Sequence, residues 1–171
     1  MTLTFVTGGA RSGKSSHALR LAREAGAPVA MIATAEARDD EMLARIAAHR
    51  AERPAGWRTV EEPLDLAGAL RGLAPGEFAI VDCLSLWVSN LLECSNAAGI
   101  EELAAEAAAL AAAHAGGCVS VSNEVGMGIV PMNALARAYR DVLGRVNAIW
   151  ADAADDALLA VSGRVLRLER A

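Results

Sequence analysis

One stretch of the chain carries residues spaced for phosphate chemistry. Gly8, Gly9, Ala10, Arg11, Ser12, Gly13, Lys14 and Ser15 fit the pattern G-x-x-x-x-G-K-[ST]. In such a loop successive backbone N–H groups wrap a phosphate chain, the lysine reaches the β/γ-phosphates and the serine hydroxyl holds Mg²⁺. Lys14 is the only lysine among 16 basic residues, and all the others are arginine. Lysine suits the position because it is a compact point charge on a flexible stem, whereas the guanidinium is a bulkier and stricter fork. Asp82 closes an apolar run, the place where proteins with this loop usually set a second Mg²⁺-associated carboxylate. Ser15 and Asp82 are therefore the candidate metal pair. Thr34 closes another apolar run and would open on the same sheet edge.

Two further constellations lie outside the loop. His49 follows Ile46 by three residues and Met42 by seven, on one helical face. A histidine beside an apolar stripe is commonly satisfied by a hydrogen bond. Here, however, Arg45, Arg50, Arg53 and Arg58 surround it. Guanidiniums near an imidazole oppose its protonation and can clamp phosphates, and neutral imidazole is the nucleophilic form. The last constellation is Ser122-Asn123-Glu124-Val125-Gly126-Met127-Gly128-Ile129-Val130-Pro131. Two glycines, an amide and a carboxylate at a strand end make a candidate substrate loop, and its apolar turn needs a partner to cover it.

These groups need a frame, and the hydrophobic pattern supplies one. Short apolar runs at 3–7, 28–33, 78–82 and 118–122 read as buried strands, and 58–60 as a short extended piece. Helical patterns occupy 16–25, about 39–53 (stopped by Pro54), 64–73, 84–93, 100–113 and about 133–151. Two short strands at 157–161 and 165–168 turn at Gly163. Alternating strands and helices with nearly all-apolar strands predict one α/β domain spanning 1–171. Its central sheet is mostly parallel and flanked by helices on both faces. The apolar content of 54% includes only 4% aromatics, and no run of 18 apolar residues occurs, which argues against a membrane span. A first strand beginning at residue 3 leaves no room for a signal peptide. The net charge of −5 gives no electrostatic reason to bind nucleic acid. Cys83, Cys94 and Cys118 have neither metal-ligand spacing nor an even count, as suits a reducing cytoplasm.

Taken together, Gly8 to Ser15, the Arg45-Ile46-Ala47-Ala48-His49-Arg50 helix with Arg53-Pro54 and Trp57-Arg58-Thr59, and Asn123 to Pro131 with Gly144-Arg145-Val146-Asn147 resemble the bifunctional adenosylcobinamide kinase / adenosylcobinamide-phosphate guanylyltransferase family. The likeness spans essentially the whole chain. It implies a RecA-like P-loop fold, a homotrimer and a late step of cobalamin assembly. An NTP such as ATP or GTP would phosphorylate adenosylcobinamide, and GTP would then guanylylate that phosphate through a histidine–GMP intermediate. The matching histidine here is His49; some relatives carry two adjacent histidines where this chain has Ala48-His49. Glu61, Glu62, Asp82 and Glu124 become candidates for guanine, ribose or Mg²⁺ contacts, with Arg50 and Arg53 on the nucleotide. Two other readings also fit the P-loop: a monofunctional small-molecule kinase in which His49 is structural, and a regulatory P-loop switch that reports nucleotide state to a partner.

Overall fold

Strands with both faces buried need apolar side chains on both sides, and four runs meet that requirement. In the computed structural model they are β1 (Leu3–Gly8), β2 (Val29–Ala33), β4 (Phe78–Asp82) and β5 (Cys118–Val121). The structure describes residues 2–37, 39–51, 53–94 and 99–170, with the side chains of Glu41, Arg45 and His49 outside that description. The sheet is completed by β3 (Arg58–Glu61), β6 (Asp156–Val161) and β7 (Arg164–Leu168), in the order β3-β2-β4-β5-β1-β6-β7. Every neighbouring pair is parallel except β6 and β7, which form an antiparallel hairpin.

Alternate residues of each strand enter two cores, as the pleat requires. Leu3, Phe5, Ala30, Ile32, Ala79 and Val81 point to one side, against helices α3 (Leu66–Arg71), α4 (Leu84–Cys94), α5 (Ile100–Ala113) and α6 (Ala134–Ala153). Trp87 and Trp150 fill that layer. Val6, Val29, Met31, Phe78, Ile80, Val119 and Val121 point to the other side, against Ala18, Leu19 and Ala22 of α1 (Lys14–Glu24). All six parallel strands deliver their carboxyl ends to one edge, so the residues that follow them are gathered there.

The boundaries expected from sequence hold within a few residues, and the differences have local causes. Helix α1 starts at Lys14 rather than at 16 because Gly13 turns the chain in a left-handed conformation (φ 99°) just before it. Helix α2 (Asp40–Ala51) opens on a side-chain cap: the Asp39 carboxylate accepts the Met42 N–H at 2.7 Å. Residues 58–61 pair in parallel with β2 as a mostly exposed edge strand.

Candidate active site at the carboxyl edge of the sheet

The Gly8–Ser15 loop connects the end of β1 to α1. Lys14 is only 7% exposed, and its ammonium donates to the Gly9 carbonyl at 2.6 Å, across the mouth of the loop. Backbone, not side chains, shapes the turn. Arg11 adopts a left-handed conformation (φ 53°), and a Cβ at Gly8 would sit 2.2 Å from the Ala160 carbonyl oxygen. The start of the candidate substrate loop, just after β5 (Cys118–Val121), is tied in as well. Ser122 N–H donates to the Val6 carbonyl at 2.9 Å, and Glu124 N–H to the Gly8 carbonyl at 3.0 Å. The segment after β5 is thereby fastened to the first residue of the phosphate loop.

Asp82 ends β4, in register with Ala33 of β2 and Val121 of β5. Thr34 follows β2 at the expected edge, but it is fully buried rather than open to a ligand. Its hydroxyl donates to the Cys83 carbonyl at 2.7 Å and accepts the Cys83 N–H at 2.9 Å. The expected nucleotide contact gives way to a positioning role because both hydrogen-bonding capacities are used on the chain that carries Asp82.

Thr34 belongs to a polar network that pattern reading missed. Asn90 of α4 donates to the carbonyls of Thr34 (2.8 Å) and Pro63 (3.1 Å). Asn147 of α6 accepts from the Ser122 hydroxyl at 2.6 Å and donates to the Asn123 carbonyl at 3.0 Å. Asn123 donates to the Ser85 hydroxyl at 3.1 Å. The signal was available: a buried asparagine in an apolar helix, as in Val88-Ser89-Asn90-Leu91 or Val146-Asn147-Ala148-Ile149, needs partners.

The arginines expected around His49 divide. His49 lies in the last turn of α2, and its side chain, like that of Arg45, is outside the described residues. Arg50 pairs with Glu61 at the carboxyl end of β3. Arg53 donates to the Thr59 hydroxyl at 3.2 Å, and its Nε is buried without a hydrogen-bond partner among the described residues. Burial lowers the Arg53 pKa, the Asp82 carboxylate opposes that and Arg50 adds to it. The Arg50 pair brings the end of α2 to the carboxyl end of β3, where Glu61 is in register with Ala33 of β2, the neighbour of Asp82. Arg58 does not join them. It starts β3 and grips Glu77 through two hydrogen bonds of 2.9 and 2.6 Å, next to the start of β4 at the opposite edge. Sequence proximity misled here because a strand carries its first residue about 10 Å from its fourth.

In the candidate substrate loop, Glu124 folds back to accept the Gly126 N–H at 2.5 Å. Arg137 holds the Pro131 and Met132 carbonyls at 2.9 and 2.7 Å, and the Asn133 side chain caps α6. The apolar turn that needed a cover has none from the described residues: Met127, Ile129 and Met132 are 78%, 97% and 99% exposed. Ser15 heads α1 at the same edge as Asp82, and Glu62 caps the next turn by accepting the Leu64 and Asp65 N–H groups.

The family model described as cobinamide kinase / cobinamide phosphate guanyltransferase matches residues 4–168. The chain is 46% identical over 169 residues to the bifunctional adenosylcobalamin biosynthesis protein CobP of Pseudomonas aeruginosa, covering 96% of each. It is 43% identical over 175 residues to the bifunctional adenosylcobalamin biosynthesis protein CobU of Salmonella typhimurium, covering 94% of this chain and 96% of that one. Among solved structures it is similar to the flagellar accessory protein FlaH of Methanocaldococcus jannaschii, with a TM-score of 0.51 at 12% identity over 96% of this chain and 74% of that one. At that identity the likeness concerns the fold alone, which is the RecA-like P-loop arrangement that the family resemblance implied.

Proposed function

The chain belongs to the cobinamide kinase / cobinamide phosphate guanyltransferase family, and from that membership we propose two successive transfers at one nucleotide edge, both made by one 171-residue domain. In the first, the aminopropanol hydroxyl of adenosylcobinamide attacks the γ-phosphorus of a bound ATP or GTP and a nucleoside diphosphate leaves. In the second, His49 attacks the α-phosphorus of GTP and pyrophosphate leaves. A phosphate oxygen of adenosylcobinamide phosphate then displaces the imidazole, which departs as the proton returns to nitrogen, giving adenosylcobinamide-GDP.

One observation carries the proposal: the helix end bearing His49, the Asp82 carboxylate and the phosphate loop share one edge. Arg50 pairs with Glu61 at the end of β3, one strand from the end of β4 across β2, and Glu124 N–H reaches Gly8. Asp82 and the loop lie two strands apart, about 10 Å at the usual strand spacing, which an extended nucleoside triphosphate bridges. The other histidines support His49 by their surroundings. His114 bonds the Glu77 carbonyl at the far edge (2.7 Å), and His17 faces Arg20 across 2.9 Å. Cys118 is buried, which pushes its thiol up to about 12, so it supplies no thiolate.

In both transfers Lys14 exchanges the Gly9 carbonyl for phosphate oxygens and, with the loop amides, neutralises the charge that develops as phosphate departs. Ser15 and Asp82 fit Mg²⁺. A hydroxyl and one carboxylate leave most positions for phosphate and water, the manner in which this ion is usually held, and no cluster of three metal-ligating side chains occurs among the described residues. Bound there, Mg²⁺ would add charge stabilisation on the phosphates. Arg50, Arg53 and Glu61 would border the guanylyl group. No described helix is long and apolar enough to cross a membrane, and a cytoplasmic homotrimer fits the family likeness.

The test is Lys14→Ala assayed for both steps. One cradle serving both predicts that a folded variant loses phosphorylation and guanylylation together, by at least about 10²-fold. Retention of either step at the wild-type rate would contradict the shared site.

A further inference from the structure

Strand β7 is exposed along its whole length and pairs only with β6, so it adds nothing to either core. The turn it closes, however, ends on the phosphate loop. Ser162 (φ 49°) and Gly163 (φ 74°) are both left-handed, as a two-residue hairpin matched to strand twist requires. Gly163 N–H donates to the Ser12 carbonyl at 2.8 Å. At Gly13 an added Cβ would lie 3.2 Å from the Gly163 Cα, so the two glycines face each other at backbone contact. At the loop's other end, Gly8 is in register with Ala160 of β6. One hairpin thus touches the loop at its first glycine and its last.

We propose that the Ser162-Gly163 turn is a positioning element that pre-sets the phosphate loop, with Gly163 as its acting residue. A planar trans peptide puts the Ser12 C=O and the Gly13 N–H on opposite sides. Holding that carbonyl against the hairpin therefore turns the Gly13 N–H away from the hairpin, to the side open to a ligand. It also keeps a carbonyl dipole from facing incoming phosphate oxygens. Donors fixed before binding need no reorganisation when charge arrives. The inference rests on the reading of this loop as the triphosphate site.

Gly163→Asn keeps the N–H in a residue type that tolerates left-handed backbone, whereas Gly163→Val does not tolerate it. Binding of a non-hydrolysable GTP analogue is measured by calorimetry beside thermal melting and the kinetics of both transfers. Gly163→Asn is expected to bind within about twofold of wild type and Gly163→Val about tenfold more weakly, with lower rates in both steps and an unchanged KM for cobinamide. A folded Gly163→Val that binds like wild type overturns the proposal. Should Gly163→Val not fold, glycolate at position 163, installed by semisynthesis, removes only the N–H; unchanged binding there overturns it equally. Lys14→Ala, titrated alongside, separates the two ideas. Weak binding in Lys14→Ala with wild-type binding in the Gly163 variants overturns the clamp alone. Unweakened binding in Lys14→Ala overturns the triphosphate site on which the clamp depends.

Discussion

Thr34 Oγ1 accepts the Cys83 N–H and gives its own proton to the Cys83 carbonyl, so its hydroxyl holds a turn rather than a substrate. Thr34→Val keeps the shape and leaves the Cys83 N–H without its acceptor beside a residue with no solvent access, while the Cys83 carbonyl keeps the Trp87 N–H. The expected cost is roughly 1–3 kcal/mol, the penalty for leaving buried polar groups unpaired, read as a lower urea midpoint with the slope unchanged. Both transfer rates should fall as well, because the same turn carries Asp82. Thr34→Ser, which retains the hydroxyl, should recover most of each loss. A Thr34→Val protein with wild-type stability would show that the hydroxyl is not structural. Asp82 sits differently. It is only partly buried at the edge itself, and Asp82→Asn is expected to raise the magnesium concentration that both steps require, read in a magnesium titration.

The two edges of the sheet do different work. At the amino edge, the Arg58 fork and the Ala74 N–H hold the Glu77 carboxyl down to about 2, below its ordinary 4.5. A carboxylate held down in this way stabilises the fold fully above its ordinary value. That contribution is lost as pH falls from 4.5 toward 2. Urea midpoints of wild type and Glu77→Gln should therefore differ near neutrality and converge across that window, with both transfer rates unaffected because this edge is remote from the site. A gap that persists at pH 2 would contradict the assignment. The carboxyl edge was largely legible in the sequence: the glycines and Lys14 announce the loop, and apolar runs ending in Thr34 and Asp82 announce the strand ends. Arg58 and Thr34 were misplaced because a linear pattern shows neither which strand end a residue occupies nor which way a side chain turns. Asn90 and Asn147 could be read as asparagines in need of partners, but which partners they take, like the Gly163 contact, was illegible for another reason. Their partners lie at least 24 residues away in the chain, so only the packing of the sheet brings them together.

At the scale of the whole molecule, the exposed apolar segment from Met127 to Leu135 and the uncovered strand β7 are what a chain that works in an assembly would present. A homotrimer predicts a sedimentation mass three times that of the 17.7 kDa chain, and a single-chain mass at working concentrations would contradict it. The central claim concerns chemistry more than assembly: one molecule carries a P-loop for phosphoryl transfer and a helix-borne histidine for guanylyl transfer. Incubating the whole protein with α-labelled GTP and Mg²⁺ and following label on the polypeptide tests it most directly. The expected product is a phosphoramidate that is acid-labile and base-stable, absent from His49→Ala although that variant still phosphorylates cobinamide. Label that persists in His49→Ala, or a wild-type protein that guanylylates cobinamide phosphate without ever becoming labelled, would contradict it.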